Sequence, residues 1–247
     1  MTASAMAVIG GTIVFSSFLS GVFGMAGGMV LLGVLLIYLD VATAMILFSI
    51  IQFVSNGWRA VHWRMFVRWR IFFMYVAGSL LAFACMRFVE FVPDKGTVYL
   101  LLGGMPFVIE ALPKWMRPNI EWRGVPFLSG IVITLIQFFS GVGGLILDIF
   151  FQKSGFDRKT VMGTKSVAKT FSNILRALYF GSLVGTGDIS VAHVGPSIVL
   201  AILGSVLAPM VIERMTDHGY RQWSRWVIFA IATVYLARGL SLLVSAA

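Results

Sequence analysis

A chain of 247 residues that is 59% hydrophobic and 12% charged, with a mean hydropathy of +0.93, is not an ordinary soluble domain, where charged residues run near 25%. Lipid is the solvent for most of it, which excludes soluble enzymes, disulfide scaffolds and disordered tails. The net charge of +9 would suit nucleic acid, but in a membrane protein basic residues are first read against topology.

Apolar segments follow one another at roughly 5–38, 41–62, 71–89, 96–112, 124–151, 160–181, 190–212 and 226–245, eight in all, and most are close to the ~20 residues that cross a ~30 Å hydrocarbon core. Two of them, 5–38 and 124–151, are long for one crossing, and both are interrupted by glycines. Gly21, Gly24, Gly27 and Gly28 interrupt the first, and Gly141, Gly143 and Gly144 the second. The lone cysteine, Cys85, sits inside an apolar run, so the chain builds neither an internal disulfide nor a thiolate metal site. His62, His193 and His218 are isolated near segment ends without metal-ligand spacing, so neither a metal nor another cofactor is expected.

Most of the 19 Lys and Arg crowd four connections: Arg59 to Arg70, Lys114 to Arg123, Lys153 to Lys159, and Arg214 to Arg225. All seven tryptophans lie in or beside three of these, as an interfacial aromatic belt requires. The positive charge therefore reads as the cytoplasmic face of a membrane protein, and nucleic acid is not expected as a partner.

The two halves repeat each other. "SGVFGMAGGMVLL" resembles "SGVGGLILD", and "SNGWRA" and "SNILRA" follow each Gly-Gly at about the same distance, a duplicated unit of about 120 residues. Ser49, Gln52, Asn56 and Arg59 match Ser166, Lys169, Asn173 and Arg176. The shared spacing puts each set on one stripe about 80° wide along a helix. Repeat one spans about 5–112 and repeat two about 124–245, within a single transmembrane domain over the whole chain.

Charge counting decides how the glycine-broken segments run. If 124–151 crossed once, the basic connections after it would lie outside and the loop with Asp188, which has no Lys or Arg, inside. If it dips in and returns at Gly141 to Gly144, all four basic connections lie inside. Each repeat is then one re-entrant hairpin plus three crossings, an odd number, so the copies are inverted in the membrane. The expected fold is an all-α integral membrane protein of two inverted repeats. No signal peptide is evident, and both termini are expected outside.

The candidate substrate-binding residues are Gly27, Gly28, Ser49, Gln52, Asn56, Gly143, Gly144, Lys165, Ser166, Lys169 and Asn173. A broken helix exposes backbone N–H groups at bilayer depth, which suits an anion, although glycine clusters also serve close helix packing. Lys169 lies ~13 Å into its segment and Lys165 one turn earlier, where a charge costs at least ~2.5 to 3.5 kcal/mol. They read as anion ligands, or alternatively as partners of Asp148. Asp148 stands where the first copy has Leu32, and either neutralises a lysine or carries a coupling proton. Arg59 and Arg176, at segment ends, read first as snorkelling to the interface and second as further anion contacts. A Ser166–Lys169 dyad would imply an intramembrane enzyme, but Ser49 and Gln52 of the first copy lack a base.

Taken together, the paired "SG…GG" hinges, the small-polar helix "MGTKSVAKTFSN" and the eight segments resemble the TauE/SafE sulfite exporter family, also called the toluenesulfonate uptake permease family. The resemblance covers nearly the whole chain. It implies a secondary transporter, not an enzyme, moving sulfite, sulfoacetate or another organosulfonate across a prokaryotic cytoplasmic (inner) membrane. Asp148 and the sparser glycines of the second hinge depart from the family's glycine-rich pattern. An anion channel is the alternative, since lysine-lined pores also conduct anions.

Overall fold

The computed structural model describes residues 3–23, 26–141, 143–183, 191–212 and 217–246; Gly24, Asp188 and Arg214 lie outside these. The described residues form ten α-helices and no strand. They are α1 (Ala3–Phe23), α2 (Ala26–Tyr38), α3 (Val41–His62), α4 (Trp69–Val89), α5 (Lys95–Ala111), α6 (Val125–Ser140), α7 (Gly144–Phe151), α8 (Arg158–Leu183), α9 (Val191–Ile212) and α10 (Asp217–Ala246). Three are long and apolar enough to cross a membrane by length and composition: Val41–His62, Trp69–Val89 and Trp226–Ser245. Phe15, Phe73, Phe88 and Trp226 are exposed, as side chains facing acyl chains are. The protein is a multi-pass membrane protein.

Each of the two long apolar segments is a pair of helices. Eleven residues of continuous helix span about 16 Å, yet a Cβ on Gly27 would touch the backbone of Ser16 and Ser20, so α2 folds back on α1. The second pair turns at Gly141, whose φ of 73° is a left-handed C-cap that favours glycine and whose N–H bonds Gln137 O. From there α7 returns toward the start of α6: Ile120 N–H bonds Phe150 O at 2.9 Å, and Asn119 Nδ2 bonds Lys153 O at 3.1 Å.

The packing is reciprocal between the halves. With α1 to α5 matched to α6 to α10, α3 packs on α8 and α5 on α10, while α1 on α9 mirrors α6 on α4, and α3 on α9 mirrors α8 on α4. Small residues allow the close crossings. A Cβ on Gly78 would meet Phe127 O and one on Gly130 would meet Tyr75 O, so the backbones of α4 and α6 touch; Gly204 stands likewise against Val14 O between α9 and α1. Even the helix starts are duplicated: Asp40 accepts from Thr43 N–H at the start of α3, and Asp157 from Thr160 N–H at the start of α8.

Three basic connections come together at one end. Arg117 Nη1 donates to Gln152 Oε1 at 2.6 Å, the Lys159 ammonium lies 5.9 Å from the Trp63 ring, and Arg68 N–H bonds Thr164 Oγ1 at 3.0 Å. At the other end Tyr179 bonds the backbone of Phe91, and Arg87 reaches Ser182 at 2.5 Å. The structure does not describe the side chains of the fourth basic connection.

Candidate anion site between the second hinge and the long polar helices

The most polar of the long helices is α8. Its stripe faces α3, and between them, closed by α4, α6 and the turn into α7, is a cavity of about 40 Å³, room for two or three water-sized bodies or one small oxyanion. The walls are Phe48, Gln52 and Asn56 of α3; Tyr75 of α4; Ile133 and Gln137 of α6; Gly141, Gly143, Gly144 and Leu147 of the second hairpin; and Lys169, Ser172, Asn173 and Arg176 of α8.

Of the sequence candidates, Gln52, Asn56, Gly143, Gly144, Lys169, Asn173 and Arg176 meet at this cavity. Gly27, Gly28, Ser49, Lys165, Ser166, Asp148 and Arg59 are not among its walls. Gly28 stands directly behind it, since a Cβ there would lie 2.6 Å from Gln52 Nε2. Ser49 and Ser166 are buried helix residues; Ser49 Oγ donates to Met45 O at 2.6 Å and accepts from Arg176 Nε at 2.7 Å.

Arg176 corrects the sequence reading of a side chain snorkelling to the interface. It is 2% exposed, and its guanidinium donates to Gly141 O, Asn173 Oδ1 and Ser49 Oγ and lies 4.4 Å above the Phe48 ring. Each contact satisfies part of a charge that would otherwise be costly to bury. Gly141 O, at the C-terminal end of α6, is a carbonyl that the helix itself leaves without a donor, and a cation is favoured there. Arg59 does the same for the first hairpin, donating to Ser20 O at 3.1 Å and to Asn56 Oδ1 at 3.0 Å. Each arginine therefore ties its own helix to a carbonyl near the turn of the hairpin that precedes it in the chain.

Three side chains of the cavity wall have donors uncommitted. Among the described residues the Lys169 ammonium makes no hydrogen bond or ion pair, and neither the Gln52 side-chain amide nor Nδ2 of Asn173 donates a hydrogen bond. Lys165, one turn earlier, is paired with Asp148 of α7. Lys165 and Lys169 lie on one stripe of α8, so this stretch carries more basic than acidic side chains even with Asp148 paired to Lys165.

Phe48, Tyr75, Ile133, Gln137, Leu147 and Ser172 were not among the sequence candidates. Tyr75 Oη and Ser172 Oγ share a 2.6 Å hydrogen bond, and Gln137 Nε2 donates to Ser172 O at 2.8 Å, which stiffens the wall. Gln137 carried a readable signal, being the one amide in the apolar run "GIVITLIQFF". Phe48, Ile133 and Leu147 carried none, because apolar residues in apolar helices carry no mark of the side they face.

The family model for the sulfite exporter TauE/SafE matches residues 9–235. The chain belongs to the TauE/SafE sulfite exporter family. No curated protein and no solved structure matches it. TauE/SafE is a transporter family, so membership accords with a transport protein rather than an enzyme, with a small anion as substrate and a bilayer as surroundings.

Proposed function

We propose that this TauE/SafE protein is a secondary transporter that binds one small sulfur-containing anion, sulfite, sulfoacetate or another organosulfonate, in the cavity beside Lys169. The observation that carries this reading is the uncommitted ammonium near the middle of α8, facing amides and the start of α7. A sulfonate spreads one charge over three oxygens. Lys169 supplies the opposite charge, Gln52 a neutral donor, and the first N–H groups of α7 at Gly143 and Gly144 are those that a helix leaves unpaired. Phe48, Ile133 and Leu147 give an apolar wall for a carbon substituent.

The reciprocal packing of the halves supports an inverted repeat, with each copy contributing one re-entrant hairpin and three crossings and with α3 and α8 meeting across the symmetry axis. The clustered basic connections support placing that end in the cytoplasm of a prokaryotic cell and both termini outside its inner membrane. Uptake of radiolabelled sulfite into proteoliposomes is the test. Saturable counterflow that is lost in Lys169→Ala is expected, unsaturated current would favour a channel, and a fully active, folded Lys169→Ala would remove the cavity as the site. A C-terminal reporter found in the cytoplasm would overturn the orientation.

A further inference from the structure

On α8, Arg158, Lys165, Lys169 and Arg176 recur at spacings of seven and four, which places them on one stripe of the helix. The stripe runs from the basic end of the molecule to the hinge. Lys169 and Arg176 border the cavity, and Arg158 starts the helix among the clustered basic connections. Lys165 lies between them. Across from it, α7 runs from the cavity wall at Gly144 and Leu147 back to that same basic end, where Phe150 O and Gln152 are bonded to the connection before α6. Asp148 is the residue after Leu147, so the Asp148–Lys165 pair stands one helical turn from the cavity toward the basic end. Both side chains remain partly exposed, 23% and 21%. In the first copy Leu32 and Phe48 occupy the matching positions, and both are buried apolar residues.

We propose that Asp148 is a tethered anion that occupies the stepping-stone between the cavity and the basic end, and that the transported anion must displace it from Lys165 to leave or enter on that side. This deepens the reading of the cavity as the anion site and rests on it. A carboxylate and a sulfur oxyanion compete for the same ammonium. With Asp148 in place the ammonium is satisfied and small anions gain nothing by resting there; with a substrate arriving from Lys169, the pair opens and α7 is released from α8. The internal carboxylate therefore sets a threshold that a weakly binding anion such as chloride does not pass.

The test uses the full-length protein in proteoliposomes, with radiolabelled sulfite uptake and chloride efflux measured on the same preparations, and folding checked by size exclusion and thermal unfolding. Asp148→Asn keeps size and Lys165 but removes the competitor; it is expected to lower the KM for sulfite about 3- to 10-fold and to raise chloride efflux at least fivefold above the unmodified protein. Lys165→Met leaves the carboxylate facing the path alone, and sulfite flux is expected to fall at least tenfold. The double variant Asp148→Asn/Lys165→Met removes both and should recover flux relative to Lys165→Met without chloride leak. If Asp148→Asn and Lys165→Met both lose flux and stability with KM and chloride efflux unchanged, the pair is only a brace and the proposal fails. The chloride arm reads the tethered anion even where sulfite is not carried. Sulfite uptake unaffected by Lys169→Ala would instead count against the cavity.

Discussion

The two hairpins share a backbone plan and differ in what they hold. In the first, Ser17, Ser55 and Ser205 link α1, α3 and α9 through hydroxyl hydrogen bonds of 3.4 and 3.0 Å. Two phenols brace α2 from α10 and α5, Tyr235 donating to Met29 O and Tyr99 to Gly33 O, both at 2.8 Å. In the second, Ser172 is again a serine but bonds Tyr75 and, through its carbonyl, Gln137, and these three border the cavity. Lys169 stands where the first copy has Gln52, and Asp148 where it has Leu32. Both hairpins carry an arginine, but the lysine and the aspartate stand only at the second, while the first is filled and tied down.

The largest effect expected from breaking this comparison is at the two arginine clamps. Arg176→Ala leaves Gly141 O and Asn173 Oδ1 without their buried partner and should cost about 2–4 kcal/mol. Arg59→Ala, in the partly buried counterpart, should cost about 1–2 kcal/mol. Thermal unfolding of the purified protein in detergent measures both, and equal losses would show that the hinges are held alike.

Next comes the pair that separates binding in the halves. Lys169→Ala should weaken sulfite binding by about 10- to 100-fold, the value of a charge-assisted contact, and Gln52→Ala by about fivefold or less, as for a neutral donor. Titration calorimetry reads both; a larger loss for Gln52→Ala would move the site toward the first hairpin.

Gly141→Ala should destabilise by about 1–3 kcal/mol, because the φ of 73° disfavours a side chain and a Cβ there would collide with Leu32 of the first hairpin. Gly181→Ala, where a Cβ meets nothing within 4 Å, should be within about 0.5 kcal/mol of neutral or stabilising. A melting comparison of the two variants sharpens the role of the turn.

The smallest effect concerns the paired helix starts. Burial pulls the Asp40 carboxyl upward, but hydrogen bonds from Thr43 and the neighbouring backbone outweigh it and hold it below the usual aspartate value; for Asp157 the hydrogen bond to Thr160 is the leading cause of a shift in the same direction. A depressed carboxyl stabilises the fold above its unfolded value and loses that contribution as the pH falls through its folded value, so both caps should weaken below about pH 4. Asp40→Ala should cost about 0.5–2 kcal/mol at neutral pH and flatten part of the acid dependence of the melting temperature.

Much of the cavity's polar lining was legible because polar residues in lipid are conspicuous. Gln52, Asn56, Lys169 and Asn173 stand out of apolar helices, and the duplicated spacing put them on two matching stripes. Arg176 has the same spacing signal as Arg59, yet its depth was misread, since a position near a segment end suits either an interfacial or a buried cation until the neighbouring chain is known. Gly27 and Gly143 look equivalent in sequence, but of the two only Gly143 reaches the cavity.

The sequence by itself determined the class of molecule, the breaks in the two long apolar segments and the helical stripes, since composition, period and spacing are properties of neighbours along the chain. The tertiary structure alone decided which hinge borders a cavity, that Arg176 turns inward to Gly141, and that Asp148 takes Lys165 and leaves Lys169 uncommitted. These depend on which faces of α3, α6, α7 and α8 meet. That is settled by packing between residues far apart in sequence, where small side chains let backbones approach and larger ones hold them apart.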